Sequence, residues 1–303
     1  MQRVSKVMFA IKTRGFAAMV TAWGHSVPQI EQAHKVLDDR EPKGYKCSRV
    51  LSETVEPAEM ERLFLMVQHG DCLGIEEFLF WMAKETRQKY LNDATFDRRG
   101  RHSVQIAAEY GQADVIRLLH QYHANLSQKN KSGMEAMHFA AIRGSVHALG
   151  ALVECGIGPE DSLTDEGFGP LHVATVYGHI SAARALLEMG ANVNSRTKYG
   201  HETALHLACQ KAHGDLALDL LDWGADSSLK DERGNTALHL ASEHSSMTHV
   251  VARLLDATPV DSGAVNVRNK HGETPLHRAS RAAETAETAF LLIGRGADVT
   301  ARD

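Results

Sequence analysis

The chain has 303 residues, 43% of them hydrophobic, and a formal net charge of −5 at pH 7. Such a chain can bury a sizeable core, and its mild acidity argues against non-specific binding to nucleic acid. No apolar run approaches the roughly 20 residues that a helix needs to cross a bilayer. The cysteines have no paired spacing, which predicts a reduced compartment, cytoplasmic or nuclear, rather than a disulfide scaffold. They are Cys47, Cys72, Cys155 and Cys209.

Residues 1–56 are predicted to form a basic, amphipathic leader and a linker. The segment 1–30 contains no Asp or Glu, and its basic side chains interleave with apolar ones such as Phe9 and Phe16. We favour a partly ordered leader or a flanking helix that covers the next folded unit, because short basic stretches are common. The sharper alternatives are a mitochondrial targeting segment in residues 1–30, or a basic helix that docks on calmodulin or a membrane surface.

Residues 57–96 are predicted to form a helix–turn–helix unit. Pro57 begins a helix with acidic residues in its first turn, Gly70 and Asp71 form a turn, and a second apolar run begins near Ile75. The unit lacks the short motif that recurs in the rest of the chain. We therefore expect an atypical cap at this end of the folded part.

From residue 97 onward, one short motif recurs at a near-constant step. Its clearest copies are GNTALHLA at 234–241 and GETPLHRA at 272–279. The histidine of the motif recurs with steps of 33, 34, 34, 33 and 38 residues, counted from a glutamine in the first copy. These positions are Gln105, His138, His172, His206, His239 and His277. A fixed step of this size indicates a stacked array of small units, none of which can bury its apolar face alone.

Each unit carries the signals of two helices joined by turns. A turn glycine such as Gly234 tolerates positive φ, and Thr236 is placed to cap the first helix. Pro170 and Pro275 fall at the first helical position, where a missing N–H costs nothing. The first helices carry small residues, and the second helices carry larger apolar residues such as Leu254 at helical spacing. The pattern predicts helical hairpins that approach one another closely.

These residues make residues 98–303 similar to the ankyrin-repeat family. The resemblance implies an all-α solenoid of helix–turn–helix units with short β-hairpin fingers, in which the inner helices line a concave face. The predicted domains are the leader and linker 1–56, an atypical capping repeat at 57–96, and six repeats in 97–303. The repeats are 97–129, 130–163, 164–196, 197–230, 231–268 and 269–303.

The sequence contains no signature of a catalytic centre, metal site or cofactor. It has no Walker-type glycine loop, nucleophile elbow or dinucleotide fingerprint. His201 and His206 are five residues apart, whereas zinc ligands on one helix face require four. Cys209 and His213 have compatible spacing but no second ligand pair. In ankyrin-like units the motif histidine bonds to neighbouring backbone. We therefore expect a non-enzymatic chain without cofactors.

Partner recognition is expected at positions where the repeat is free to vary, which are the finger tips and the exposed face of each inner helix. Aromatic and large apolar residues concentrate there in the first four repeats, among basic residues, and such residues are frequent binding hot spots. The predicted partner-binding residues are Arg98, Arg99, Arg101, Tyr110, Met134, Ile142, Arg143, Phe168, Val176, Tyr177, Tyr199 and Lys211. These residues predict binding of a segment of another protein, and the segment is expected to carry apolar anchors and acidic flanks. We expect the chain itself to be a monomer.

Two alternatives remain open at this point. In the first, the array is a targeting or regulatory subunit of an enzyme complex. In the second, it is a fragment of a larger ankyrin-containing enzyme or channel. Two departures from the pattern bear on them: an insertion around 258–263 lengthens the fifth repeat, and the apolar run 290–293 would be partly uncovered in the last repeat. Separately, Asn194 follows Val193 and lies eight residues after Leu186. This resembles the site that an asparaginyl oxygenase hydroxylates in many ankyrin proteins.

Overall fold

The computed structural model describes residues 57–80, 82–257, 263–282 and 284–302. The predicted leader and linker, Cys47 and most of the insertion in the fifth repeat lie outside these residues.

The first folded unit is a helical pair followed by a short helical connection. Helix α1 spans Pro57–His69, α2 spans Cys72–Phe80, α3 spans Lys84–Gln88, and a π-helical turn follows at Lys89–Asp93. Within that turn Tyr90 is fully buried, and its hydroxyl donates to Glu59 Oε2 at 2.6 Å. The Tyr90 ring also meets Phe78 edge-on at 5.8 Å. An acidic residue in the first turn of α1 thus anchors the connection to the next unit.

Six further helical pairs follow, each with an inner and an outer helix. The inner helices are α4 Ser103–Glu109, α6 Ala136–Arg143, α8 Pro170–Val176, α10 Ala204–Gln210, α12 Ala237–Ala241 and α14 Pro275–Arg281. The outer helices are α5 Ala113–Gln121, α7 Val146–Glu154, α9 Ile180–Glu188, α11 Gly214–Asp222, α13 Thr248–Asp256 and α15 Ala286–Gly294. Short 3₁₀ turns lie at Ser245–Met247 and Ala264–Asn266.

The helical pairs stack into a solenoid with one continuous core. Each inner helix packs on the next inner helix, and α5, α7, α9, α11, α13 and α15 pack on one another in the same order. The alanine at the same position of successive inner helices is fully buried, as at Ala140, Ala174 and Ala208. A larger side chain there would force the units apart, because a close-packed core cannot absorb added volume without strain. The predicted all-α solenoid is confirmed.

The fingers between the units are hydrogen-bonded turns, and no β-strand forms among the described residues. The second finger is closed by the N–H of Asn130 donating to the carbonyl of Met134 at 2.9 Å. Neighbouring tips are joined by backbone bonds such as Lys131 N–H to the carbonyl of Arg99 at 3.2 Å. These isolated bonds do not form the alternating ladder that defines paired strands. The fingers therefore have hairpin connectivity without β-structure.

The motif histidines join each unit to the next. In His239, Nδ1 accepts the N–H of Thr236 at 3.1 Å, and Nε2 donates to the carbonyl of Glu273 in the following unit at 3.2 Å. His138 likewise accepts the N–H of Glu135 and donates to the carbonyl of Phe168 in the following unit. His172 accepts the N–H of Gly169 and donates to the carbonyl of Ser195, at the end of its own repeat. A carbonyl can only accept, so Nε2 carries the proton and the ring is neutral. The recurrent histidine is thus a two-ended bridge between repeats.

The last unit exposes part of the apolar run at 290–293. Phe290 and Ile293 are exposed, Leu291 is half-buried and Leu292 is completely buried. Val299, in the turn after α15, is also exposed. The expected exposure is therefore restricted to one side of α15, and the other side packs into the core.

Candidate partner-binding surface

Four exposed side chains mark the C-terminal ends of consecutive inner helices. Tyr110, Arg143, Tyr177 and Lys211 are all exposed, and they occupy the same position in the first four repeats. Because the inner helices pack side by side, these residues form a row, which we call the inner row. It alternates aromatic and basic side chains.

Hydrogen bonds between neighbouring units hold the inner row in place. Nε2 of His179 donates to the carbonyl of Ile142 at 2.7 Å, and Nε2 of His213 donates to the carbonyl of Val176 at 3.2 Å. The His179 ring also lies parallel to the Tyr177 ring, with centroids 6.3 Å apart. Ile142 and Val176, both predicted to contact a partner, are half-buried beside this row. These bonds tie the C-terminal ends of α6 and α8, where Arg143 and Tyr177 lie, to the following units.

The finger tips supply a second line of exposed residues. Arg98 and Arg99 form the exposed tip of the first repeat, and the exposed Lys131 lies beside them with Nζ donating to the carbonyl of Arg98 at 3.1 Å. In the fourth repeat Nζ of Lys198 lies 5.1 Å from the ring centroid of Tyr199. The tips thus present basic groups at one end and an aromatic ring further along.

Between the inner row and the tips lie the residues two positions before the first residue of each inner helix, which we call the floor. They are Arg101, Met134, Phe168, Glu202, Asn235 and Glu273. Met134 and Phe168 are half-buried and pack against the core, and the Phe168 ring meets the His172 ring edge-on at 6.0 Å. The floor is therefore apolar in the second and third repeats and polar from the fourth repeat onward.

The structure divides the predicted partner-binding residues into available and occupied groups. Arg101 is occupied: its Nε lies 2.7 Å from Asp97 Oδ2, and its Nη1 pairs with Glu109. Four residues are half-buried, so only part of each side chain is available: Met134, Ile142, Phe168 and Val176. The exposed members, available to a partner, are Arg98, Arg99, Tyr110, Arg143, Tyr177, Tyr199 and Lys211.

Sequence analysis missed Glu202, which lies in the middle of this surface. Its side chain is half-buried, and among the described residues it forms neither a hydrogen bond nor an ion pair. Burial raises the pKa of this carboxyl and the charge of Asp231 raises it further, whereas Lys211 and Arg233 act in the opposite direction. The repeat register could have identified Glu202 as a surface position, because it follows Met134 and Phe168 at steps of 34 residues.

The polar end of the floor is neutralised internally. A depression of about 430 Å³ is lined by His271, Glu273, Arg278 and Arg281. The buried Glu273 carboxylate lies 2.9 Å from Nε of Arg278 and also pairs with Arg281. Asn269 Nδ2 donates to the same carboxylate at 2.9 Å. The charges of these groups are paired with one another, so we do not place the partner site at this end.

Groups that could carry other chemistry are sparse in the described ranges. The three cysteines there are free, and burial raises the pKa of Cys209 to about 12. No set of three His, Cys, Asp or Glu side chains within residues 57–80, 82–257, 263–282 and 284–302 could hold a metal ion. No helix in the same ranges is both long and apolar enough to cross a bilayer.

Asn194 bridges two repeats. Its Oδ1 accepts the N–H of Asp226 at 2.8 Å, and its Nδ2 lies 3.5 Å from the carbonyl of Gly224. Asn266 makes the equivalent bonds to the last repeat.

Hydroxylation of Asn194 stays a prediction. Intact-mass measurement of protein from its native source should show one added oxygen, and an unmodified mass would remove the idea.

Comparison with known proteins identifies the architecture. The family model described as ankyrin repeats (3 copies) matches residues 63–165, 104–197, 160–231 and 205–303. These matches extend upstream of the first complete motif into the helical pair α1 and α2. Together they cover well over half of the chain.

Named relatives and solved structures agree with that match. The chain is 44% identical to the mouse B-cell lymphoma 3 protein homolog and 45% identical to the human protein, over 73 residues in each case. It is 27% identical to mouse synphilin-1 over 92 residues. These segments cover 24–29% of this chain and only 10–16% of the relatives.

The solved structures show the same fold at low sequence identity. The human ASB11 ankyrin repeat domain has a TM-score of 0.61 at 19% identity, covering 78% of this chain and 98% of that structure. The ankyrin repeat domain of Bcl-3, described as a member of the IkappaB protein family, has a TM-score of 0.62 at 21% identity, covering 75% and 96%. With the recurrent motif, the stacked helical pairs and the family match, the chain belongs to the ankyrin-repeat family.

Proposed function

We propose that this chain is a non-enzymatic interaction module that binds a segment of another protein on its concave inner surface. The observation that supports the proposal is the set of exposed tyrosines: Tyr110, Tyr177 and Tyr199 are 41%, 55% and 62% exposed. Large aromatic rings held in water have apolar area to bury, and they lose little conformational entropy when a partner covers them. Ankyrin repeats typically serve as protein-interaction modules, which supports this assignment.

The charges around the tyrosines favour a partner with acidic flanks. Arg98, Arg99, Arg143 and Lys211 are exposed cations along the same surface. Cations at the edge of an interface raise the association rate of an acidic partner and disfavour a basic one. We therefore propose a segment with apolar anchors for the tyrosines and acidic residues beside the first two repeats.

The same proposal covers assembly and compartment. The free thiols of Cys72, Cys155 and Cys209 fit a reducing environment, the cytoplasm or the nucleus. We propose that the chain acts as a monomer toward a protein partner and does not bind nucleic acid. The alternative of a subunit or fragment of a larger assembly would use the same surface.

The proposal is tested by a triple substitution of the exposed tyrosines. Tyr110→Ala, Tyr177→Ala and Tyr199→Ala together should weaken partner capture by about 100-fold or more, because hot-spot truncations cost roughly 1–3 kcal/mol each. The melting temperature should change little, since these rings are not core. Binding is compared by quantitative affinity capture from cells with tagged wild type and variant.

A matched control uses an exposed aromatic residue outside the inner row and finger tips. Trp223, at the end of the outer helix α11, is 46% exposed. Trp223→Ala should leave capture unchanged. If the tyrosine variant retains the same partners at the same strength, the inner surface is not the binding site.

A further inference from the structure

One polar floor residue differs from the others. Arg101 is paired with Asp97 and Glu109, and Asn235 Oδ1 accepts from Asn269 Nδ2 at 2.8 Å. Glu273, at the last floor position, is paired with two arginines. Only Glu202, among the described floor residues that are polar, has no side-chain partner. A half-buried carboxylate without a partner carries a desolvation cost that a bound donor would remove.

Glu202 is held in a fixed position within the partner surface. Its N–H donates to Thr197 Oγ1 at 3.0 Å, and its carbonyl accepts the N–H of Thr197 at 3.0 Å. These bonds close the hairpin that carries the exposed Tyr199 at its tip. On one side the floor continues to the apolar Phe168. Glu202 thus lies where apolar contacts give way to polar ones.

The surroundings of Glu202 favour a cation over a neutral donor. Asp231 contributes a second negative charge, and its carboxylate accepts the N–H of Asn235 at 2.7 Å and the Asn235 side-chain amide at 2.9 Å. Lys211 and Arg233 are near enough to affect the carboxyl electrostatically, yet neither forms an ion pair with it. Two carboxylates without a direct cationic partner therefore make this point of the surface negative.

We propose that Glu202 is the subsite for a basic side chain, arginine or lysine, of the bound protein segment. The inference rests on the proposed function and makes it more specific. An arginine suits the site best, since its planar fork matches a carboxylate in bidentate geometry. The bound segment then has a charge order: acidic residues beside Arg98, Arg99 and Arg143, apolar anchors over the second and third repeats, and a basic residue at the fourth. This order determines which end of the segment lies at the first repeat and which at the fourth.

The experiment selects a displayed random-peptide library on the full chain and measures the enriched peptides against variants. Peptides should carry an arginine or lysine at a fixed distance from apolar residues. Glu202→Gln keeps the side-chain shape, so the melting temperature should hold, and it should weaken binding roughly 10- to 100-fold. The exposed Glu232 of the next finger is the matched control, and Glu232→Gln should have no effect.

A double-mutant cycle distinguishes a direct pair between Glu202 and the basic residue of the peptide from a long-range effect of the Glu202 charge. Replacing the basic residue of the peptide by glutamine should weaken binding to wild type and have little further effect on the Glu202→Gln variant. Equal affinity of wild type and Glu202→Gln, with loss of binding by the tyrosine triple variant, would overturn this inference and leave the proposed function standing. Selected peptides that the tyrosine triple variant still binds would overturn both.

Discussion

Glu273→Ala is expected to destabilise the last two repeats by about 3 kcal/mol, the lower end of the range for removing one partner of a buried ion pair. The buried Glu273 carboxylate accepts from Asn269 Nδ2 and pairs with Arg278 and Arg281. The hydrogen bond from the side-chain amide of Asn269 is the main reason that the pKa of Glu273 lies below its usual range, and the charges of Arg278 and Arg281 lower the pKa further. Without the carboxylate, the mostly buried Arg278 keeps Glu243 but loses its partner at Nε. Urea unfolding followed by circular dichroism measures the loss.

Two variants show whether an uncompensated charge causes this loss. The double variant Glu273→Ala with Arg278→Ala should be no less stable than Glu273→Ala alone, because it removes the isolated buried cation as well. Asp219→Ala breaks the ion pair with the well-exposed Arg184 and should cost much less than Glu273→Ala, because solvent screens an exposed pair. A Glu273→Ala protein as stable as wild type would mean that the network contributes nothing net.

Much of the fold was predictable because one unit is repeated. The motif sets the register of every inner helix, and the register alone places Tyr110, Arg143, Tyr177 and Lys211 at equivalent positions. Exposure at those positions follows from the geometry of one unit and needs no knowledge of its neighbours. The family match confirms the architecture that this periodicity predicts.

The state of each polar side chain was not predictable, because its partners come from elsewhere in the fold. In the sequence nothing distinguishes Arg101 from Arg98 and Arg99, yet its guanidinium forms an ion pair with a glutamate eight residues later. Tyr90 bonds to Glu59 across 31 residues, which no local pattern records. Glu202 was overlooked for the same reason, since the absence of a partner is visible only when every neighbour is placed.

Acid unfolding of this protein is expected to begin below pH 6.5, because its motif histidines are buried as neutral rings. In His239, Nδ1 already accepts the N–H of Thr236, so a proton added there would face another donor. Burial lowers the pKa of His239 from its ordinary value of 6.5 to about 4. Burial also lowers the pKa values of His138, His172 and His206.

The direction of the pH effect follows from proton binding in the two states. Between pH 6.5 and about 4 the unfolded chain holds a proton on His239 that the folded chain does not, so stability falls as pH falls through this window. A shift of this size corresponds to about 3 kcal/mol for His239 alone. Burial raises the pKa values of Glu135 and Glu202, which opposes the trend near the bottom of the window. A comparison of variants at His239 cancels these carboxyl contributions.

The first repeat of the chain supplies a substitution that tests whether protonation of His239 lowers stability. Gln105 occupies the histidine position of the first repeat; its Oε1 accepts the N–H of His102 at 2.9 Å, and its Nε2 donates to the carbonyl of Met134 at 2.9 Å. Glutamine thus makes both bonds and does not titrate. His239→Gln should match wild type within about 1 kcal/mol at pH 7.5. At pH 5 it should be more stable than wild type by about 2 kcal/mol in urea unfolding.

His239→Ala separates loss of the bridge from loss of the titration. It removes both hydrogen bonds and should be about 1–3 kcal/mol less stable than wild type at pH 7.5, because the partner groups stay buried. Its stability should then fall less steeply than that of wild type between pH 6.5 and 4, since the titrating ring is gone. If wild type and His239→Gln lose stability in parallel over this range, protonation of His239 does not contribute to acid unfolding, and the loss comes from other titrating groups.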